Sequence, residues 1–203
     1  WDWGPRFVTC GIWRPVTLTG RNGTHMQNVR INQRKLQSDV AVLDFIVEWS
    51  DEIHQDEINE LKLEVCYDEE IVGGFHALAD PGSKNTAVQV SISNPKLWWC
   101  NGMGASDLYN YRLELIRDKQ AVQTLTGRFG IRDIELVRED DSIGQSFYFK
   151  INGKPVFIKG ANYIPQDNFL PRVTDGQYLQ LIQNAAESGM NMLRVWGGGV
   201  YEK

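Results

Sequence analysis

Apolar and polar residues alternate through several short segments in the middle of the chain, and this period of two restricts the fold more than any other feature. In one of them the apolar residues Leu61, Leu63 and Val65 are separated by charged residues. Successive side chains of a β-strand point to opposite faces, so each such segment predicts a strand with one buried face. The segments with this pattern, or with the length of a strand, are 26–33, 39–49, 61–67, 71–78, 88–92, 109–115 and 129–137. About seven short strands separated by turns are typical of an immunoglobulin-like β-sandwich.

A further alternating segment, residues 11–19, precedes the turn-forming sequence Arg21-Asn22-Gly23. It predicts one terminal strand of a preceding β-domain that ends near residue 23. The chain opens at Trp1 and stops at Lys203, shortly after a run of three glycines. We therefore expect it to be a piece of a longer protein, called the parent protein below.

The pattern changes after about residue 140. Asn152-Gly153 lies between the apolar segments 147–151 and 155–159 and is the strongest hairpin signal in the sequence. A segment rich in Pro, Asn and Asp follows at 162–172, and its composition predicts a loop.

A helix and a buried strand are predicted after this loop. Thr174 and Asp175 offer N-cap chemistry, apolar residues then recur at helical spacing, and Gly189 is placed to end the helix. Residues 190–196 have the apolar character of a buried strand. The strand predicted at 155–159, the helix and this second strand form the parallel β-α-β unit from which (β/α)8 barrels are built. Such a barrel needs roughly 250 residues, so the chain holds at most its first two strands.

The predicted fold is therefore mainly β, with three parts. Residues 1–23 form the last strand of a preceding domain, and residues 24–139 form the immunoglobulin-like β-sandwich. Residues 140–203 form the first strand-helix-strand unit of a truncated (β/α)8 barrel. Two barrel strands without neighbours expose apolar faces and unpaired edges, which favour a homo-oligomer formed through this barrel segment.

Composition excludes several classes of function. The net charge is −5, and no segment gathers Lys and Arg into a dense run, so neither nucleic acid nor a membrane surface is an expected partner. No apolar run approaches the roughly 18 residues of a membrane span. Three cysteines and three histidines occur without the spacing of a metal site or of the antibody-type disulfide. We expect neither a metal nor an organic cofactor, and the sequence leaves the cellular compartment open.

Several motifs in a defined order resemble the β-mannosidases of glycoside hydrolase family 2. They are residues 1–7 (Trp-Asp-Trp-Gly-Pro-Arg-Phe), 11–16, 95–99 (Pro-Lys-Leu-Trp-Trp), 129–135, 151–155, 160–165 (Gly-Ala-Asn-Tyr-Ile-Pro) and 194–199 (Arg-Val-Trp-Gly-Gly-Gly). The first two are similar to the end of that family's N-terminal jelly-roll sugar-binding domain. The third is similar to the tryptophan motif of its immunoglobulin-like domain, and the others to the start of its catalytic barrel.

The resemblance also separates branches of the family. Galactosidases and glucuronidases usually show a Ser-His-Tyr-Pro type sequence where this chain has Trp-Gly-Gly-Gly. Exo-β-glucosaminidases and endo-β-mannosidases resemble the chain at the tryptophan-glycine motif but less well at Trp-Asp-Trp-Gly-Pro, and both remain alternatives.

The resemblance implies that the parent protein is a retaining exo-β-mannosidase acting on terminal β-D-mannose. Hydrolysis of this kind needs two carboxyl groups, an acid and a nucleophile, roughly 5–5.5 Å apart. In the family both are glutamates on later barrel strands, so they are expected beyond Lys203 and the chain alone is expected to be inactive. The alternative function is a non-catalytic β-sandwich that binds carbohydrate or spaces two domains, because sandwich folds host both roles.

Two candidate substrate-binding residues, Arg194 and Trp196, lie on one face at the end of the last predicted strand. An indole ring stacks well on the apolar face of a sugar; the alternative is a core tryptophan that seals the barrel end. A cation at Arg194 suits the orientation of an ionised nucleophile, as the resemblance implies; the alternative is a structural ion pair.

The third candidate is Asp2. In the resembled family the matching aspartate reaches toward hydroxyls of the terminal mannose, and a carboxylate accepts two hydroxyl protons at once. An Asp between two tryptophans is otherwise a turn-capping residue. Glu202 lies near the predicted barrel mouth, where we expect a structural or supporting role, and no catalytic residue is assigned within the chain.

Overall fold

The computed structural model describes residues 5–8, 10–12, 14–54 and 59–197. Contacts divide the chain into two compact units. Unit 1 consists of residues 1–20, 100–103 and 156–203, and unit 2 consists of residues 21–99 and 104–155. No described helix is both long enough and apolar enough to cross a bilayer.

Unit 2 contains two antiparallel sheets. Their strands are Met26–Leu36 (β1), Val40–Trp49 (β2), Glu60–Tyr67 (β3), Glu70–Leu78 (β4), Asn85–Ser93 (β5), Tyr109–Arg117 (β6) and Gln120–Phe129 (β7). The first sheet has the order β1-β2-β5 and the second has the order β4-β3-β6-β7. The predicted strands of the sandwich are thereby confirmed, and the last predicted segment, 129–137, is corrected to a shorter strand that joins another sheet.

The core of unit 2 lies between these two sheets. Buried and less buried residues alternate along β2 and β5 and along β3 as far as Cys66, as the sequence pattern requires. The buried residues form one cluster to which both sheets contribute, including Leu43, Phe45, Val47, Leu61, Leu63, Val65, Val88, Val90, Ile92, Leu113 and Leu115. The period of two thus places one apolar face of each sheet against the other, which is the arrangement of a β-sandwich.

A third, smaller sheet follows the sandwich. Its strands are Ile134–Val137 (β8), Tyr148–Ile151 (β9) and Lys154–Val156 (β10), in the order β10-β9-β8. Asn152 and Gly153 have φ values of 49° and 77°, so they form the predicted two-residue hairpin turn. Residues of this sheet up to Pro155 lie in unit 2, whereas the sequence assigned β9 and β10, but not β8, to the barrel segment. The domain limits 1–23, 24–139 and 140–203 stay a prediction.

Unit 1 contains the β-α-β arrangement. Strand Gly160–Tyr163 (β11) pairs in parallel with Met192–Val195 (β12), and helix Asp175–Glu187 (α1) lies between them in sequence, after a short 3₁₀ helix at Leu170–Arg172. The two strands form a two-stranded sheet, so closure into a barrel stays a prediction.

Local chemistry sets both ends of α1. The Thr174 hydroxyl accepts from the Gln177 amide at 3.3 Å, and Gln177 Oε1 accepts from the Thr174 amide at 2.8 Å, which completes a capping box. Gly189 adopts a φ of 76°, which confirms the predicted stop. The side chain of Asn101 donates to the carbonyl oxygens of Ala186 and Met190 at 2.8 and 3.0 Å, so a distant residue caps the last turn.

One prediction about the strands of unit 1 is wrong, and another stays a prediction. The first strand of the β-α-β unit is β11, not 155–159, because residues 160–163 are the ones in hydrogen-bonding register with β12. Asn162 and Tyr163 therefore belong to a strand and not to the loop. The described residues of 11–19 are not in a strand in this structure, and Leu18 is 99% exposed, so a terminal strand of a preceding domain stays a prediction.

Candidate functional site

The carboxyl ends of β11 and β12 bring polar side chains together at one edge of the parallel pair. Asn162 and Arg194 are partners in the register, and Arg194 Nη1 donates to Asn162 Oδ1 at 3.1 Å. Both residues are exposed. The Asn162 amide oxygen thus orients the Arg194 guanidinium group, at the end of a strand pair where parallel α/β folds bind their ligands.

Trp196 lies immediately beyond β12, two residues after Arg194. Its backbone N–H donates to the carbonyl oxygen of Tyr163 at 2.8 Å, which extends the ladder past the end of the strand. Its side chain is half-buried. An anchored backbone therefore holds a partly accessible indole ring two residues beyond Arg194.

The loop after β11, residues 164–174, is folded around an ion pair. Asp167 Oδ2 accepts from Arg172 Nε at 2.9 Å and from Nη2 at 2.5 Å, while Asp167 Oδ1 accepts from the Phe169 amide at 2.8 Å. Hydrogen bonds from the Arg172 guanidinium, and then from the Phe169 amide, lower the pKa of Asp167. Arg172 also lies over the Phe169 ring, with its Cζ 5.0 Å from the ring centroid.

Phe7 packs against the same loop. The centroids of the Phe7 and Phe169 rings are 5.1 Å apart at an interplanar angle of 41°. The contact joins the N-terminal segment of unit 1 to the loop that follows β11.

The edge combines a guanidinium, a carboxamide and an indole ring. Hydrogen-bond donors and acceptors beside an aromatic face suit a polyhydroxylated ligand, which presents both hydroxyl groups and an apolar C–H face. In the described part of the chain no group of His, Cys, Asp or Glu is arranged to hold a metal ion. Asp167 is the carboxylate of the 164–174 loop. Its oxygens already accept hydrogen bonds from Arg172 and from the Phe169 amide.

The tryptophans of unit 2 have a different environment. Arg132 Cζ lies 4.5 Å from the centroid of a Trp98 ring, and Lys154 Nζ lies 5.0 Å from that of Trp99. A Cβ atom added at Gly104 would lie 2.9 Å from the Trp99 ring, so a glycine is needed to leave room for it. Both rings are half-buried with a cationic side chain over each, and these contacts are those of packing residues.

The structure brings two of the predicted site residues, Arg194 and Trp196, to one edge. Asp2 and Glu202 lie outside the described residues. Sequence reasoning did not assign Asn162 or Asp167. A signal for Asn162 was present, because the two four-residue strands, 160–163 and 192–195, each carry one polar side chain at the third position.

Comparison with known proteins gives one family and several relatives. Residues 24–132 match the family model described as glycosyl hydrolases family 2. A β-mannosidase B from Aspergillus clavatus is 33% identical over 205 residues, covering 100% of this chain and 24% of that protein. The structure of a β-D-mannosidase from Dictyoglomus thermophilum is 38% identical with a TM-score of 0.92, covering 100% of this chain and 25% of that one.

A more distant neighbour shares the fold alone. An exo-chitosanase from Amycolatopsis orientalis is 19% identical with a TM-score of 0.65, covering 88% of this chain and 20% of that one. The chain spans about a quarter of the length of the β-mannosidases that it matches.

Proposed function

Because the chain belongs to glycosyl hydrolases family 2, we propose that its parent protein is a retaining exo-β-mannosidase that releases terminal β-D-mannose residues. The observation that carries the proposal is the likeness to β-mannosidases, in sequence and in structure, along the whole chain. The glucosamine-specific and endo-acting branches of the family are the competing assignments.

The proposed mechanism is double displacement by two carboxyl groups. One protonates the leaving oxygen, and the other attacks the anomeric carbon and forms a covalent glycosyl-enzyme that water then hydrolyses. The proposal assigns both groups to glutamates outside these 203 residues. The chain by itself then supplies part of the sugar-binding surface but no nucleophile, so the proposal makes it inactive.

The proposal gives each residue at the edge one task. Arg194, oriented by Asn162, holds the nucleophilic carboxylate ionised, because a nearby cation favours the charged form. Trp196 stacks on the apolar face of the mannose ring. The same face of the strand pair therefore serves both the reacting carboxylate and the sugar.

Asp2 is proposed to accept hydrogen bonds from two hydroxyl groups of the terminal mannose. The contact between Phe7 and Phe169 supports this role, because it brings a residue only five positions beyond Asp2 to the loop that follows β11. Five extended residues span at most about 18 Å, so the length of the chain between Asp2 and Phe7 is compatible with a role of Asp2 near this loop.

The test compares the chain with the parent protein, extended by roughly 300 residues to complete an eight-stranded barrel. We expect the parent to hydrolyse a chromogenic β-mannoside faster than the matching β-glucosaminide, with retention followed by NMR of the first-formed anomer. The chain alone is expected to give no turnover. Preference for the glucosaminide, inversion, or activity of the chain alone would each contradict the proposal.

Variants of the parent test the assignment of Arg194. Arg194→Met is expected to lower kcat/KM by about 100-fold or more, as removal of one charge-stabilising group does in other active sites. Arg128, an exposed residue of β7, provides the matched control, and Arg128→Met is expected to retain full activity. Equal kcat/KM values for the two variants would contradict the assignment of Arg194 to the site.

A further inference from the structure

The loop that follows β11 has two kinds of residue. Asp167 and Phe169 are half-buried and make the contacts that hold the loop, whereas Gln166 and Asn168, which alternate with them, are exposed. The loop therefore presents two carboxamide groups while its other residues anchor the backbone.

Asp167 is the centre of the anchor. Its two oxygens accept three hydrogen bonds, from the Phe169 amide and from two nitrogens of Arg172, so one side chain closes six residues of backbone. The Arg172 guanidinium lies in turn over the Phe169 ring. Because charge-assisted bonds are shorter and stronger than neutral ones, this arrangement fixes the loop more firmly than an ordinary turn.

The loop is also close to the proposed site along the chain. Asp167 follows Tyr163 by four residues, and the Tyr163 carbonyl accepts from the Trp196 amide. Four extended residues span at most about 14 Å, so Asp167 lies within about that distance of the Tyr163 backbone to which Trp196 is bonded.

We infer that Asp167 is a positioning residue: through Arg172 and Phe169 it holds the 164–174 loop as a wall of the sugar site, with Gln166 and Asn168 available to sugar hydroxyls. The inference rests on the proposed function, because it assumes that a glycoside occupies this edge. Asp167 itself makes no contact with the sugar, since its oxygens are used within the loop.

The perturbation is Asp167→Asn in the parent protein. The substitution keeps the size of the side chain and the oxygen that accepts from the Phe169 amide, but it places an NH₂ group against the Arg172 guanidinium. Two donors then face each other and the anchor is lost. We expect KM for a β-mannoside to rise roughly tenfold while kcat changes by less than about twofold, because loss of a wall weakens ground-state and transition-state binding alike.

Three further variants separate positioning from general stability. Arg172→Lys keeps the charge but loses the second donor and the planar group over Phe169, so its KM is expected between those of wild type and Asp167→Asn. Arg172→Met combined with Asp167→Asn is expected to raise KM no further than the larger of the two single effects. Each single change already breaks the Asp167–Arg172 ion pair, so the second change has no ion pair left to remove. Asp44→Asn is the matched control, because Asp44 pairs with Arg34 at 2.8 Å in unit 2 and is similarly shielded.

A second readout follows the loop without reference to the sugar. Chymotrypsin cleaves after Phe169, and the anchored loop is expected to resist it in the folded parent. Asp167→Asn is expected to speed cleavage between Phe169 and Leu170, detected by mass spectrometry, whereas Asp44→Asn is not.

The outcomes distinguish the two proposals. If the parent hydrolyses β-mannosides and Asp167→Asn leaves KM unchanged, the positioning role is overturned and the proposed function stands. If the parent prefers another glycoside, the proposed function fails, and KM for that glycoside decides the role of Asp167. A parent that hydrolyses no glycoside overturns both. Equal cleavage of wild type and Asp167→Asn shows that the ion pair does not hold the loop, and it also overturns the inference.

Discussion

Replacing Thr86 by Val tests a side-chain hydrogen bond that is buried within the sandwich. Thr86 Oγ1 accepts from the indole N–H of Trp49 at 2.9 Å, and the two residues are 6% and 4% exposed. Valine has nearly the same shape but no acceptor, so the buried N–H loses its partner without access to water. The cost of leaving a buried donor unsatisfied is about 1–3 kcal/mol in the free energy of unfolding. For a chain of this size that lowers Tm by roughly 2–12 °C.

Urea unfolding of residues 1–203, followed by circular dichroism, measures this free energy. Thr86→Ser keeps the hydroxyl and removes only a methyl group, so its cost is expected near 0.8 kcal/mol, the value of about one buried CH₂. Thr124→Val, on the exposed face of β7, is the matched control and is expected to stay within about 0.5 kcal/mol of wild type. The reasoning is refuted if Thr86→Val is as stable as Thr124→Val, or if Thr86→Ser costs more than Thr86→Val.

Two other predictions concern a helix cap and alkaline pH. Asn101→Ala leaves the carbonyl oxygens of Ala186 and Met190 without their side-chain donor, so we expect faster amide hydrogen exchange in the last turn of α1 and about 0.5–1.5 kcal/mol lower stability. An unchanged exchange rate would show that water replaces Asn101 at no cost. Burial raises the pKa of Tyr109 and of Tyr111 above the ordinary value of 10.0, so the neutral forms are favoured in the folded state. This contribution is complete below that value and is lost as pH rises through the folded pKa. The urea midpoint should therefore fall as pH rises above 10.0, and a constant midpoint would contradict the prediction.

The sandwich could be predicted because its information is local. Each strand carries its own period of two, and each tight turn carries residues that tolerate a positive φ. Asn152 and Gly153 have φ values of 49° and 77°, and Asp118 and Lys119, at the turn between β6 and β7, have 49° and 61°. The capping box of α1 is equally local, because it joins Thr174 to a residue three positions away. Interactions of this range can be found from spacing alone.

The candidate site was only partly predictable, because its contacts join residues far apart in the chain. Arg194 and Trp196 could be placed at a strand end, but the partner of Arg194 depends on the register between β11 and β12. The assignment of β11 to 155–159 was wrong for the same reason. An apolar run shows that a strand is favoured, whereas the neighbouring strand decides which residues enter the ladder.

The sequence by itself determined the class of the fold, the turns, the ends of the helix and the family resemblance, since these depend on residue types within a few positions of one another. Only the tertiary structure decided which side chains meet. Asn162 and Arg194 are 32 positions apart, and Asn101 and Ala186 are 85 apart. Contacts at such separations exist only after the chain has closed long loops and fixed its strand register. That closure is a property of the whole packed unit, and no short segment of the sequence encodes it.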